Sequence, residues 1–141
     1  MPSPAPPLAG VLETALYVDD MPLARRFYED ALGLVPMFAD ARLTAYPVGP
    51  RSALLLFLRG ATAEVVHLPG GAIPGHAGEG PLHCALAIAA ADLADWEARL
   101  IATGIPIEAR MVWPRGSTSV YFRDPDGHLL ELATPGLWPV W

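Results

Sequence analysis

Three side chains in this sequence carry the chemistry of a metal centre: Glu13, His83 and Glu131. One imidazole and two carboxylates offer nitrogen and oxygen donors that suit Fe(II), Mn(II), Zn(II), Ni(II) or Co(II). Three protein ligands would leave coordination positions open for water or substrate, as catalysis requires. Each lies in a short apolar run with strand-like composition. By two-residue alternation Glu13 shares a face with Ala15 and Tyr17, His83 with Ala85 and Ala87, and Glu131 with Leu129 and Ala133. The opposite faces (Leu12, Leu16, Val18; Leu82, Leu86, Ile88; Leu130, Leu132) are core-like. The polar faces are lined largely by alanine, which leaves room for a ligand. Taken singly, a strand glutamate more often faces solvent, and a lone histidine is more often a hydrogen-bonded structural group. Spacing is what joins them.

Glu13 and His83 are 70 residues apart, half the chain length of 141. At that offset Leu12-Glu13-x-Ala15-Leu16 overlays Leu82-His83-x-Ala85-Leu86, and Leu23-Ala24 overlays Leu93-Ala94. This points to an internal duplication. In the first half, a strand over 11–18 leads to Asp19 and Asp20 as helix caps, with Pro22 in the first turn. Leu23, Phe27, Ala31 and Ala24, Tyr28, Leu32 then form an apolar face as far as Gly33. Strands are predicted at about 34–39, 42–48 and 52–58. Residues 59–80 are a glycine-rich linker whose one extended candidate is 65–68, and loops of that length often serve as lids. The second half begins with a strand at Leu82, followed by a helix capped by Asp92, with Leu93, Trp96, Leu100 and Ile101 as its apolar positions and Gly104 as its stop. Strands at 105–113, 117–123 and 128–133 complete it. The last two flank Asp124-Pro125-Asp126-Gly127, which suits a type I turn and predicts a hairpin.

The order is β-α-β-β-β, linker, β-α-β-β-β. The expected class is α+β: tandem βαβββ modules, each a curled mixed sheet with a helix outside, forming a half-barrel cavity. We expect an arm at 1–10, a single domain over 11–134 (modules 11–58 and 81–134, linker 59–80) and a tail at 135–141.

Bulk properties exclude several function classes. The net charge is −6 and all nine basic residues are arginine, scattered without an aromatic-basic stripe, so a nucleic-acid footprint is missing. The longest apolar run, 53–58, is far too short to span a bilayer. The proline-rich start lacks a signal peptide's basic and apolar regions, and the single Cys84 forms no intramolecular disulfide, so a cytoplasmic location is expected.

Secondary candidates surround the three donors. Arg115, after Trp113-Pro114, can hold an anionic group through a bidentate contact or stand free in a loop. Tyr121 shares a strand face with Ser119 and Arg123, as a cavity phenol or as core. His67 and His76 lie in the linker, where either can carry a proton if that segment folds over the cavity. Cys84 points away from His83 and reads as a small buried residue. His128 begins the last strand beside the turn, where side chains are usually wet.

Over roughly residues 11–134 the sequence resembles the vicinal oxygen chelate superfamily, which includes glyoxalase I, bleomycin-resistance proteins, fosfomycin-resistance thiol transferases and extradiol dioxygenases. The resemblance is carried by Tyr17-Val18-Asp19-Asp20 leading into Ala24-Arg25-Arg26-Phe27-Tyr28 and Leu32-Gly33-Leu34. Its most specific part is Tyr121 to Leu132, containing Asp124-Pro125-Asp126-Gly127-His128. It implies metal ligands from the first strand of each module and the last strand of the second, the positions of Glu13, His83 and Glu131. It also implies that a ligand carboxylate, Glu131 or Glu13, shuttles a proton, that a small molecule is the substrate and that the protein is a homodimer, to which the exposed-looking Trp138 and Trp141 add. Two departures bear on activity: Glu13 stands where His or Gln is common, and the place of glyoxalase I's fourth ligand, a Glu, aligns with Phe57, which would instead face substrate with Arg115, Tyr121 and Trp113. The resemblance implies a metal-dependent lyase, isomerase or ring-cleaving dioxygenase. The alternative is a metal-free binding protein sequestering an aromatic or drug-like molecule.

Overall fold

The computed structural model describes residues 2–141. Its elements follow the predicted order, with shorter strands. The first half contains β1 (Glu13–Val18), α1 (Met21–Arg26) running into a π-helical turn (Phe27–Ala31), then β2 (Phe38–Ala39), β3 (Leu43–Val48) and β4 (Ser52–Leu58). The linker forms a small hairpin, β5 (Val66–Leu68) and β6 (Gly71–Ile73). The second half contains β7 (His83–Ala87), a 3₁₀ turn (Ala90–Asp92), α2 (Leu93–Ala102), β8 (Ala109–Val112), β9 (Thr118–Arg123) and β10 (Leu129–Ala133).

Both halves build the same sheet. The strand orders are β1-β4-β3-β2 and β7-β10-β9-β8, with the first and last strands of each half parallel and the others antiparallel. The duplication is thus one of topology, and Glu13 and His83 open equivalent strands. Neither sheet closes on itself. One face of each sheet turns to a shared core in which Leu16, Val18, Leu54 and Leu56 meet Val120, Phe122, Leu130 and Leu132, with Tyr28 and Leu100 from the helical segments. Burying a side chain of this size stabilises by about 1.5–3 kcal/mol, so this core holds the two modules together. Arg99 of α2 reinforces it by donating to the Ala31 and Asp30 carbonyls at 2.6 and 2.8 Å, at the end of the first helical segment.

Local corrections have physical causes. Asp20 caps α1 as expected, accepting from the Leu23 amide at 2.9 Å. The helix then widens into the π turn; Ala24, Tyr28 and Leu32 are buried at the expected four-residue spacing, together with Ala31, while Leu23 of the other expected row is 42% exposed. Asp92 holds the N-cap position of α2 but makes no side-chain cap bond, because the preceding 3₁₀ turn leads the chain into the helix in a helical conformation. Ile101 faces solvent and Leu100 alone on that helix is fully buried.

The turn after β9 departs most from expectation. His128 is 0% exposed rather than wet. Its backbone amide donates to Asp124 Oδ1 at 2.8 Å, and Asp124 Oδ2 accepts the Tyr28 hydroxyl at 2.7 Å. Burial, and then the neighbouring Asp124 carboxylate, push the Tyr28 phenol well above its ordinary range, so it stays protonated and donates. Replacing Tyr28 with phenylalanine leaves a buried carboxylate oxygen without its donor. We expect a loss of about 1–3 kcal/mol in urea unfolding with little change in the slope.

Candidate functional site

The second sheet presents its open face through His83, Ala85 and Ala87 of β7, Glu131 of β10, and Ser119 and Tyr121 of β9. Glu131 is 4% exposed, so it is no solvated surface carboxylate. Its Oε2 accepts the Ser119 hydroxyl at 2.5 Å, and Ser119 Oγ in turn accepts the Trp113 indole N–H at 2.8 Å. The indole can only donate, which directs the single serine proton to the carboxylate. Sequence reasoning placed Trp113 against substrate and passed over Ser119, although alternation put Ser119 on the face of Tyr121.

His83 completes a convergent pair. Its Nδ1 lies 2.8 Å from the Leu129 carbonyl and its Nε2 lies 3.2 Å from Glu131 Oε1. A carbonyl oxygen only accepts, so Nδ1 carries a proton. The neutral ring then turns a bare Nε2 lone pair toward a carboxylate oxygen. Two lone pairs at that separation repel unless a cation stands between them, either a second ring proton or a metal ion. The backbone contact fixing the other nitrogen is the usual support of a metal-ligating histidine. His83 and Glu131 therefore fit two corners of a divalent-metal site. The His83 side chain is 51% exposed and open to further ligands. Tyr121 stacks beside it, with centroids 6.5 Å apart; burial, then the Glu131 charge, raise its phenol pKa.

Glu13 stands on the other sheet. It is exposed and makes no ion pair or side-chain hydrogen bond among the described residues. Nor do any three His, Cys, Asp or Glu side chains among the described residues gather where they could hold one ion. A chain by itself brings His83 and Glu131 together and leaves Glu13 apart.

Register also corrects the place of Phe57. Ala85 pairs with Glu131 in the second sheet, and its equivalent Ala15 pairs with Leu55 in the first. Leu55, not Phe57, is the counterpart of Glu131, so the missing fourth carboxylate is a leucine. Phe57 pairs with Tyr17 two residues further on and is buried against it.

The linker covers this end of the first sheet. His76 Nδ1 lies 2.6 Å from the Tyr17 hydroxyl, and its ring meets Phe57 edge-on at 4.7 Å. Gly78 lies so close to Tyr17 that an added Cβ would fall 2.3 Å from the ring. His67 stays on the exposed hairpin β5–β6. Arg115 donates to the Leu137 carbonyl at 3.3 Å, tying its loop to the C-terminal tail. Cys84 is partly buried against the core, and burial raises its thiol pKa. Trp138 and Trp141 are exposed. No helix is long and apolar enough to cross a membrane.

Known proteins share this architecture. The lactoylglutathione lyase from Agrobacterium tumefaciens is 36% identical, with 94% of this chain and 98% of that one covered at a TM-score of 0.85. A glyoxalase-related enzyme from Fulvimarina pelagi is 26% identical over 95% of this chain and 94% of that one (TM-score 0.69). The fosfomycin resistance protein FosX from Mesorhizobium loti, 21% identical over 92% and 95% (TM-score 0.64), shares the fold. Among curated proteins no sequence matches. The family model of the Glyoxalase/Bleomycin resistance protein/Dioxygenase superfamily matches residues 10–132, and the chain belongs to that superfamily.

Proposed function

We propose that this protein is a metal-dependent lyase or isomerase acting on a small substrate with neighbouring oxygen atoms, and that its site is completed between two copies of the chain. The observation that carries the reading is the 3.2 Å gap between His83 Nε2 and Glu131 Oε1, two donors facing each other with the other imidazole nitrogen committed to a carbonyl. The likeness to a lactoylglutathione lyase at 36% identity favours lyase or isomerase chemistry over ring cleavage. Glu13, exposed on its own sheet, is the third donor, supplied by the partner copy of a homodimer. A divalent ion held there supplies Lewis-acid polarisation of the substrate's oxygens.

The chain's own groups do the rest. Ser119 holds Glu131 Oε2, which leaves Oε1 as the atom that binds metal or receives a proton. Glu13, more open, is the second candidate proton carrier. Tyr121 borders the pair with an aromatic wall. Because Leu55 replaces a fourth carboxylate, one position more is open to water or substrate than in a four-ligand site.

Metal analysis of purified, reconstituted protein tests this first. We expect about one divalent ion per chain, with uptake weakening as pH falls because metal and proton compete for the same gap. Protein that takes up no stoichiometric divalent ion would sink the reading and favour a metal-free binding protein. Isomerisation of a thiol–methylglyoxal adduct, set against oxygen uptake with catechols, then separates lyase from dioxygenase.

A further inference from the structure

Glu131 is aimed by groups that lie outside the donor set. Its carboxylate turns Oε1 toward His83 Nε2 at 3.2 Å and Oε2 toward the Ser119 hydroxyl at 2.5 Å. Ser119 is fully buried, and the Trp113 indole N–H donates to its oxygen from 2.8 Å. An indole N–H cannot accept and an ionised carboxylate cannot donate, so the single serine proton points to Glu131. Trp113 reaches Ser119 because the chain doubles back on itself. Strands β8 and β9 stay paired as far as Val112 and Thr118. The turn between them closes with the Trp113 amide on the Ser117 carbonyl at 2.8 Å and the Gly116 amide on the Trp113 carbonyl at 3.0 Å. This turn is fastened to the segment that follows Glu131. The buried Ser117 hydroxyl donates to the Thr134 carbonyl at 2.7 Å, and Thr134 Oγ1 accepts the Thr118 amide at 2.8 Å. Two residues on, the backbone passes so near the turn that a Cβ on Gly136 would fall 3.0 Å from the Arg115 carbonyl oxygen.

We propose that Trp113 and Ser119 are positioning residues, which together hold the Glu131 carboxylate so that Oε1 alone faces His83. The terminal torsion of a glutamate is broad, so an unheld carboxylate turns readily and presents either oxygen. The bond from Ser119 is charge-assisted and stops that rotation. The indole in turn keeps the serine from swinging its proton elsewhere. Tyr121 stands directly across from Glu131 in the pairing of β9 with β10, yet it is Ser119 that holds Oε2. Trp113 therefore acts on the site through Ser119, two hydrogen bonds removed from the carboxylate oxygen it serves. Its turn is anchored on Thr134, three residues beyond Glu131, so the C-terminal segment sets the orientation as well. That the oriented oxygen serves a metal ion rests on the metal reading; the orientation itself does not.

Nitrogen-15 NMR of the four tryptophan indoles in the full-length, metal-free protein tests the orientation. The Trp113 resonance, assigned by its loss in Trp113→Phe, is expected to shift in both Ser119→Ala and Glu131→Gln. The Trp96 indole on α2 should stay in place, which also shows that each variant is folded. A Trp113 resonance unmoved in either variant overturns the proposal. Zinc affinity, measured in competition with a chromogenic chelator, then tests what the orientation does. Ser119→Ala should bind zinc about 10–100-fold more weakly than wild type, as loss of a group that supports a ligand does. Trp113→Phe should bind it about two- to tenfold more weakly, the share of one hydrogen bond. Zinc added to the wild type should also move the Trp113 resonance, and Ser119→Ala should abolish that response. Undiminished zinc affinity in Ser119→Ala overturns the positioning role. A wild-type protein that takes up no zinc defeats the metal reading instead, and the metal-free spectra then decide the orientation by themselves.

Discussion

Replacing Glu13 with alanine is expected to weaken metal binding at least ~100-fold, as completely as His83→Ala does, although the two side chains stand on different sheets. Altering a group that merely supports a ligand costs 10–100-fold in affinity, so losing a ligand costs that or more. The sharper test mixes the two variants. If each site takes Glu13 from one copy and His83 with Glu131 from the other, the heterodimer of Glu13→Ala and His83→Ala chains has one intact site and one doubly broken site. Random exchange makes half the dimers mixed, so roughly a quarter of the sites regain metal in an isologous dimer. Metal analysis after subunit exchange reads this directly. No recovery, with exchange verified by sedimentation of differently tagged chains, excludes a shared site. Metal retained by Glu13→Ala alone would mean that His83 and Glu131 suffice.

Alternation alone assigns Glu131 to the face opposite Leu130 and Leu132, and the fold puts it there because one face of β1, β4, β9 and β10 packs against a common core. Leu130 and Leu132 had to point inward, which forced Glu131 to the other face. The 70-residue offset was legible for the same reason: β1 and β7 occupy identical places in identical sheets, so Glu13 and His83 meet equivalent neighbours. Pairing register was not legible, because a featureless apolar run such as Leu54-Leu55-Leu56 gives no mark of which residue lies opposite Ala15; Phe57 was chosen where Leu55 belongs. Polarity of the hydrogen-bond chain through Trp113, Ser119 and Glu131 depends on a loop returning over its own strand, which periodicity does not describe. The linker's length suggests a lid, and at Gly75 and Gly78 the missing side chain is what permits close packing, against the Ala63 carbonyl and the Tyr17 ring. His128 was misread through its position alone: a turn residue is usually solvated, yet this turn folds back onto β1.

That contact carries the largest expected loss of stability. His128 Nδ1 accepts the Leu82 amide at 2.9 Å, so its proton resides on Nε2, which donates to the Tyr17 carbonyl at 2.6 Å. One buried imidazole thereby joins the strand that begins with Glu13 to the segment entering the strand that begins with His83. His128→Ala leaves the part-buried Leu82 N–H unsatisfied and the buried Tyr17 carbonyl with only its Arg59 donor at 3.2 Å, where a fully unsatisfied buried group costs about 1–3 kcal/mol, and opens a cavity beside them. We expect a loss of about 3–5 kcal/mol by urea unfolding, a large share of the 5–15 kcal/mol available to a typical domain. The two isosteres separate the contacts. Asparagine can reproduce the Nδ1 contact to Leu82 and glutamine the Nε2 contact to Tyr17, so each should recover part of the loss and neither all of it. If the bridge positions the modules, Asn and Gln variants should also differ from alanine in how much metal they retain at temperatures where all three are folded. A loss under about 1 kcal/mol for His128→Ala would mean that the shared apolar core alone fixes the two modules, and that the bridge merely fills space.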